Sequence, residues 1–197
     1  MDYKQAKELL NVGDYSPGTW FKANGHVLEY AYCLFLSGEL DKALEQLEQI
    51  RHYNTRADWA CKIINFIKSG QLEQYPTFLQ TRNFLEIDLT LLIMSMNLEY
   101  ANKLINMAPL FYNVCKESYK FIGRALYYCK HKELAYVYYK LAKDNFYNDG
   151  ELHYLLGVYY YNESKKEQCK KSMKTCLRLV PEYKPAKKIL EKMAFDN

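Results

Sequence analysis

Glycine and proline are scarce in this chain of 197 residues, at 8 and 5. An all-β domain needs turn residues about every ten positions, so that class is excluded. The six cysteines contain no CxxC pair, which argues against a disulfide-stapled secreted scaffold and against a zinc ribbon. Apolar runs such as Leu89–Met94 are far too short to cross a bilayer. The first residues, MDYKQAKELL, lack the charged-then-apolar pattern of a secretory leader. The expected setting is therefore reducing and intracellular, the cytoplasm or another compartment with the nucleus included. Histidine occurs four times, at 26, 52, 131 and 153, and never at metal-ligand spacing. Cys129 and His131 form one short pair, and one pair cannot fill a tetrahedral site. Phosphate loops of the GxxxxGK[ST] or GxGxxG kind are missing. No metal, no cofactor and no catalytic constellation is expected, and the chain is read as a non-enzyme.

What is present is an apolar content of 49% and 20 tyrosines, against 9 phenylalanines and 2 tryptophans. Apolar residues recur at three and four, the helical period. Within 41–50 the inward set is Ala43, Leu44, Leu47 and Ile50; within 133–143 it is Ala135, Tyr138, Tyr139 and Ala142. Gly38, Gly70, Asn148-Asp149-Gly150 and Pro181 supply the stops. Ser164-Lys165-Lys166-Glu167 has the form of a capping box. Pro17 and Pro76 interrupt the pattern within 13–24 and 74–81. No strand-type alternation is sustained, so the fold class is all-α. No stretch rich in Pro, Ser or Gly marks a linker, and a single domain spanning 1–197 is expected.

Self-comparison shows a period of 34 residues. Ala101, Ala135 and Cys169 share it, as do Ala108, Ala142 and Cys176, and Gly123 with Gly157. The last period reads Leu156-Gly157-x-x-Tyr160, then Cys169, Met173, Cys176 and Pro181. In these residues the chain resembles a tetratricopeptide repeat, whose two helices carry Trp-x-x-Leu-Gly-x-x-Tyr and then Ala, Phe, Ala and Pro. His153 stands in the Trp slot, and Cys replaces both alanines. The resemblance implies a right-handed α-solenoid of about five helix pairs, near 24–55, 56–81, 82–115, 116–149 and 150–183. A leading helix would lie before Asn11 and a closing helix over 184–195. The Trp slot reads Val27, Trp59, Leu85, Tyr119 and His153; the small-residue slot reads Ala43, Tyr75, Ala101, Ala135 and Cys169. Truncated second helices are expected just after Gly13 and just after Gly70, where the slots fit least well.

The resemblance also implies which residues face a concave groove. They are Leu28, Tyr32, Phe35, Ile64, Ile67, Thr90, Lys120, Arg124, Tyr127, Tyr154 and Tyr161, with Ala60, Glu86, Ile93 and Val158 between them. Such a surface suits an extended or helical segment of another protein, as in an adaptor, an assembly subunit or a chaperone. The contrary expectation is that the chain's own helices cover these residues. Lys120 and Arg124 stand at slots resembling the basic end of a carboxylate clamp, but Leu28, Tyr32 and Ile64 do not complete one. Self-association through an end helix or the groove is left open.

Charge is uneven along the chain. From Glu163 to Lys192 ten Lys/Arg meet four Glu, leaving 17 basic and 19 acidic residues elsewhere. Lys166, Lys170, Lys174 and Arg178 follow at four-residue steps, as do Lys184, Lys188 and Lys192. A solvated outer face is the ordinary reading. The alternative is an anion-binding protein that holds RNA or a lipid headgroup through these stripes. Nucleic acid is disfavoured because no aromatic side chain alternates with the lysines.

Overall fold

The computed structural model describes residues 1–72 and 74–195, and these form helices and short connectors with no strand among them. The chain divides into two compact units, Met1–Cys115 and Lys116–Asn197. The boundary falls where the fourth repeat was expected to start.

In the first unit α1 (Tyr3–Asn11) is the leading helix, and Asp2 and Gln5 close it with a reciprocal capping box. The short α2 (Gly18–Ala23) stands where a truncated helix was expected after Gly13. The helices α3 (Val27–Leu36) and α4 (Leu40–Glu48) form the first full pair, and α5 (Thr55–Ser69) follows. After Gly70 the expectation fails. The described residues up to Pro76 are not helical, and Tyr75, assigned to a helix-packing slot, is 64% exposed. Thr77 then caps a new helix with Gln80. That helix runs as α6 (Phe78–Arg82), a π-helical segment (Asn83–Asp88) and α7 (Leu89–Met94). A proline and a bulky tyrosine in the slot that wants alanine explain why no second helix packs there. The unit ends with α8 (Leu98–Asn106) and the single turn α9 (Ala108–Phe111).

The second unit holds α10 (Ser118–Tyr128), α11 (Lys132–Asn145), α12 (Gly150–Asn162), α13 (Lys166–Leu179) and α14 (Lys184–Phe195). The 34-residue period is visible here in the packing. A Cβ on Gly123 would lie 2.5 Å from the ring of Tyr139, and one on Gly157 would lie 2.6 Å from Met173 Cε. Tyr139 and Met173 are themselves 34 residues apart, so each glycine admits the same position of its partner helix. The closing helix buries Ala186 and Met193 against Cys169, Met173 and Cys176. It thereby covers the last apolar face of the stack.

The two close approaches differ in what can yield. Tyr139 is fully buried and its ring is rigid, whereas a methionine terminus is flexible. Gly123→Ala is expected to cost about 2–3 kcal/mol through overpacking. Gly157→Ala should cost about 1 kcal/mol or less, since helix propensity offsets a small shift of Met173. Urea unfolding followed by far-UV circular dichroism checks the ranking.

The turns between helices repeat as well. Gly38, Met96, Lys130 and Ser164 all have positive φ, from 56 to 90°. At each, the next residue's N–H bonds back to a carbonyl five residues earlier, for example His131 to Leu126 at 2.9 Å and Lys165 to Tyr160 at 2.8 Å. This is a Schellman closure of the preceding helix. It overturns the capping box read at Ser164: the N-cap of α13 is Lys165, without a side-chain cap bond. Ser164 is the left-handed residue that ends α12.

Candidate functional site

The residues expected to line a groove fare differently in the two units. In the first, Tyr32, Phe35, Ile64 and Ile67 are buried core side chains, and Leu28 and Thr90 are half-buried. The four buried ones offer nothing to a partner. The helices of the unit itself cover them, which corrects the groove assignment at these positions.

Tyr32 reaches a charged group instead. Its hydroxyl donates to Asp88 Oδ1 at 3.1 Å. The Arg56 guanidinium bonds the same carboxylate oxygen and lies over the Tyr32 ring, 5.0 Å from its centre. Asp88 is fully buried, and its second oxygen has no hydrogen-bond partner. Burial raises the Asp88 carboxyl above its ordinary value, although Arg56 and the Tyr32 hydroxyl both favour its charged form. Asp88 ends the π-helical segment, a kind of local widening frequent at functional positions. Sequence reasoning missed this triad because its members are 32 and 56 residues apart.

In the second unit Lys120 is 3% exposed and ion-paired within the chain. Its ammonium meets Glu117, Asp149 at 2.7 Å and Glu151 at 3.0 Å. The hydrogen bonds and charges of those carboxylates, Asp149 first, outweigh burial and raise the Lys120 pKa. Lys120 therefore holds α10 to the start of α12 and is not available to fix a ligand's register. A signal for this existed in the sequence, where acids at 117, 149 and 151 bracket a lysine inside an apolar stretch.

The remaining residues of the expected groove do come together. Arg124 on α10 bonds Glu151 of α12 at 2.9 Å, and the Tyr127 hydroxyl accepts from Asn162 Nδ2 at 2.5 Å. Tyr154 packs on Tyr183 with ring centres 5.1 Å apart. Arg124, Tyr127 and Tyr154 are half-buried, and Tyr161 is 38% exposed. Tyr154, Val158 and Tyr161 fall at helical steps of four and three, one stripe along α12. Tyr127 and Tyr154 thus keep part of their surface and are each held by a neighbour, which lowers the entropy cost of a contact. Sequence reasoning read the inward side of α11 but did not name Leu134, Val137 and Leu141, which it leaves at 40–49% exposure.

The buried thiols and the rings of His26 and His153 take packing roles. Five cysteines are buried and Cys129 is half-buried, all six as free thiols. Burial pushes Cys33 up to about 12 and Cys61 and Cys176 to about 11, so these three are poor nucleophiles. His153, in the Trp slot, donates a ring N–H to the Tyr147 carbonyl at 2.9 Å, and burial lowers its pKa. Among the described residues no three His, Cys, Asp or Glu converge as metal ligands, and no helix is long and apolar enough to cross a membrane. No protein-family model, no curated protein and no solved structure matches the chain.

Proposed function

We propose that the chain is a non-enzymatic protein-interaction module. In this reading its helix pairs stack as a right-handed array similar to tetratricopeptide repeats. A segment of a partner protein lies against the tyrosine face of α10 and α12. The observation that carries the reading is the stripe of Tyr127, Tyr154 and Tyr161, joined across the two helices by the Arg124–Glu151 and Tyr127–Asn162 bonds. Tyrosine supplies contact area with few torsions to freeze, and a fixed ring loses less still. Arg124 adds a cation at the edge, while Glu151 satisfies it in the free protein.

The test is partner capture from the native host by the full chain and by a Tyr127→Ala/Tyr161→Ala variant. The double substitution is expected to reduce the retained partner by about tenfold or more, as truncated tyrosine anchors do. Melting of the variant within a few degrees of the parent separates lost contact from lost fold. Unchanged capture by a folded variant overturns the reading.

A further inference from the structure

The outer face of α13 frames a shallow trough of about 410 Å³ lined by Glu167, Lys170, Lys171, Lys174, Thr175 and Arg178. Next to it, and sharing Glu167 and Lys170, is a second depression of about 290 Å³ where Leu190, Met193 and Ala194 of α14 form the wall. Among the described residues, Lys170, Lys171, Lys174 and Arg178 have no carboxylate partner. The lysines of the two buried or bridging networks, Lys120 and Lys7, do have one. The architecture does not impose these charges. The same slots on α11, 34 residues earlier, hold Tyr136, Val137, Lys140, Leu141 and Asp144.

We infer that this trough docks an acidic amphipathic helix of a partner protein, with carboxylates along Lys170, Lys174 and Arg178 and one apolar side chain seated against Leu190 and Met193. The three cations follow one helical stripe at about 6 Å per step, the spacing of carboxylates at every fourth residue of a facing helix. Charge complementarity selects the acidic partner, and the apolar depression beside it selects a protein over a bare polyanion. RNA is disfavoured because no aromatic residue lines either depression and Glu167 stands in the trough. A membrane surface is disfavoured because the apolar side of α13, at Cys169, Met173 and Cys176, is already buried under α14 and cannot enter lipid. A third depression, lined by Tyr161, Asn162, Ser164, Lys166 and Met193, adjoins this surface at Lys166 and Met193, so the test is read at Lys170, Lys174 and Arg178, which lie outside it.

Fluorescence anisotropy of the full chain tests the inference. The probe is a labelled helical peptide with Glu at every fourth position and a terminal Leu. Its controls are the same peptide with Ser for Leu, an oligouridylate and phosphatidylserine vesicles. The Leu peptide is expected to bind about tenfold tighter than the Ser peptide. Lys170→Ala/Lys174→Ala/Arg178→Ala, all at exposed positions, should weaken it by about tenfold or more with unchanged circular dichroism. Equal binding by the triple variant overturns the inference. So does binding of oligouridylate or vesicles as tight as that of the peptide, or no binding of the Leu peptide at all.

Discussion

Arg56→Met is expected to destabilise the first unit by about 3 kcal/mol at neutral pH, because it strands a buried carboxylate. Asp88 then keeps only the Tyr32 hydroxyl, at 3.1 Å, against full desolvation. The sign of the pH dependence follows from the direction of its shift. A carboxyl raised above its unfolded value is destabilising while charged, and the deficit grows as pH rises through the folded pKa. Removing the cation raises that pKa further, so the variant's loss should grow as pH rises above the ordinary aspartate value of about 3.9. Arg56→Met/Asp88→Asn should recover at least half of the loss, since the neutral amide keeps an acceptor for Tyr32 and carries no charge. Trp20 and Trp59, both in this unit, let tryptophan fluorescence follow its unfolding in urea. If the double variant is no more stable than Arg56→Met, the cost lies in lost guanidinium packing on the Tyr32 ring and not in the stranded charge.

The same triad shows where sequence reasoning stops. Period and turn chemistry were enough to read the helices, the 34-residue repeat and the small residues at helix crossings. Gly123 against Tyr139 and Gly157 against Met173 are the physical form of that repeat. Burial of Tyr32 was not legible in the same way. A slot in a repeat says which way a side chain points within its pair, but not whether the next helix closes over it. Here the next helices are α5 and the π-helical stretch, and an inserted residue in a helix leaves no mark in the apolar period. Ser164 failed for a different reason. Hydroxyl residues suit both an N-cap and, less often, a left-handed helix end, and the Schellman bonds of Lys165 decided the second. Sequence placed the tyrosine stripe on α12, and the geometry added what holds Tyr154 and, on α10, Tyr127. The basic trough was visible as a row of lysines, whereas the apolar depression beside it required the position of α14.

Lys120→Met is the corresponding experiment in the second unit, and its effect should be at least as large. It leaves Glu117, Asp149 and Glu151 facing one another around an empty centre, with Asp149 almost buried. Asp149 also caps α12 by accepting from the Leu152 N–H at 3.1 Å, so repulsion there weakens a helix start. A loss of about 3 kcal/mol corresponds to a fall of roughly 12–24 °C in the melting temperature of a unit this size. Alkali acts on the parent alone. Its Lys120 pKa is raised, so the stabilisation is whole below the ordinary lysine value of about 10.4 and disappears as pH climbs through the folded value. Glu117→Gln and Glu151→Gln added to Lys120→Met should restore much of the neutral-pH stability, leaving the Asp149 cap in place. Thermal melts by far-UV circular dichroism from pH 7 to about pH 11 decide it. A Lys120→Met protein that melts with the parent at pH 7 would return the lysine to the surface and reopen it as a ligand contact.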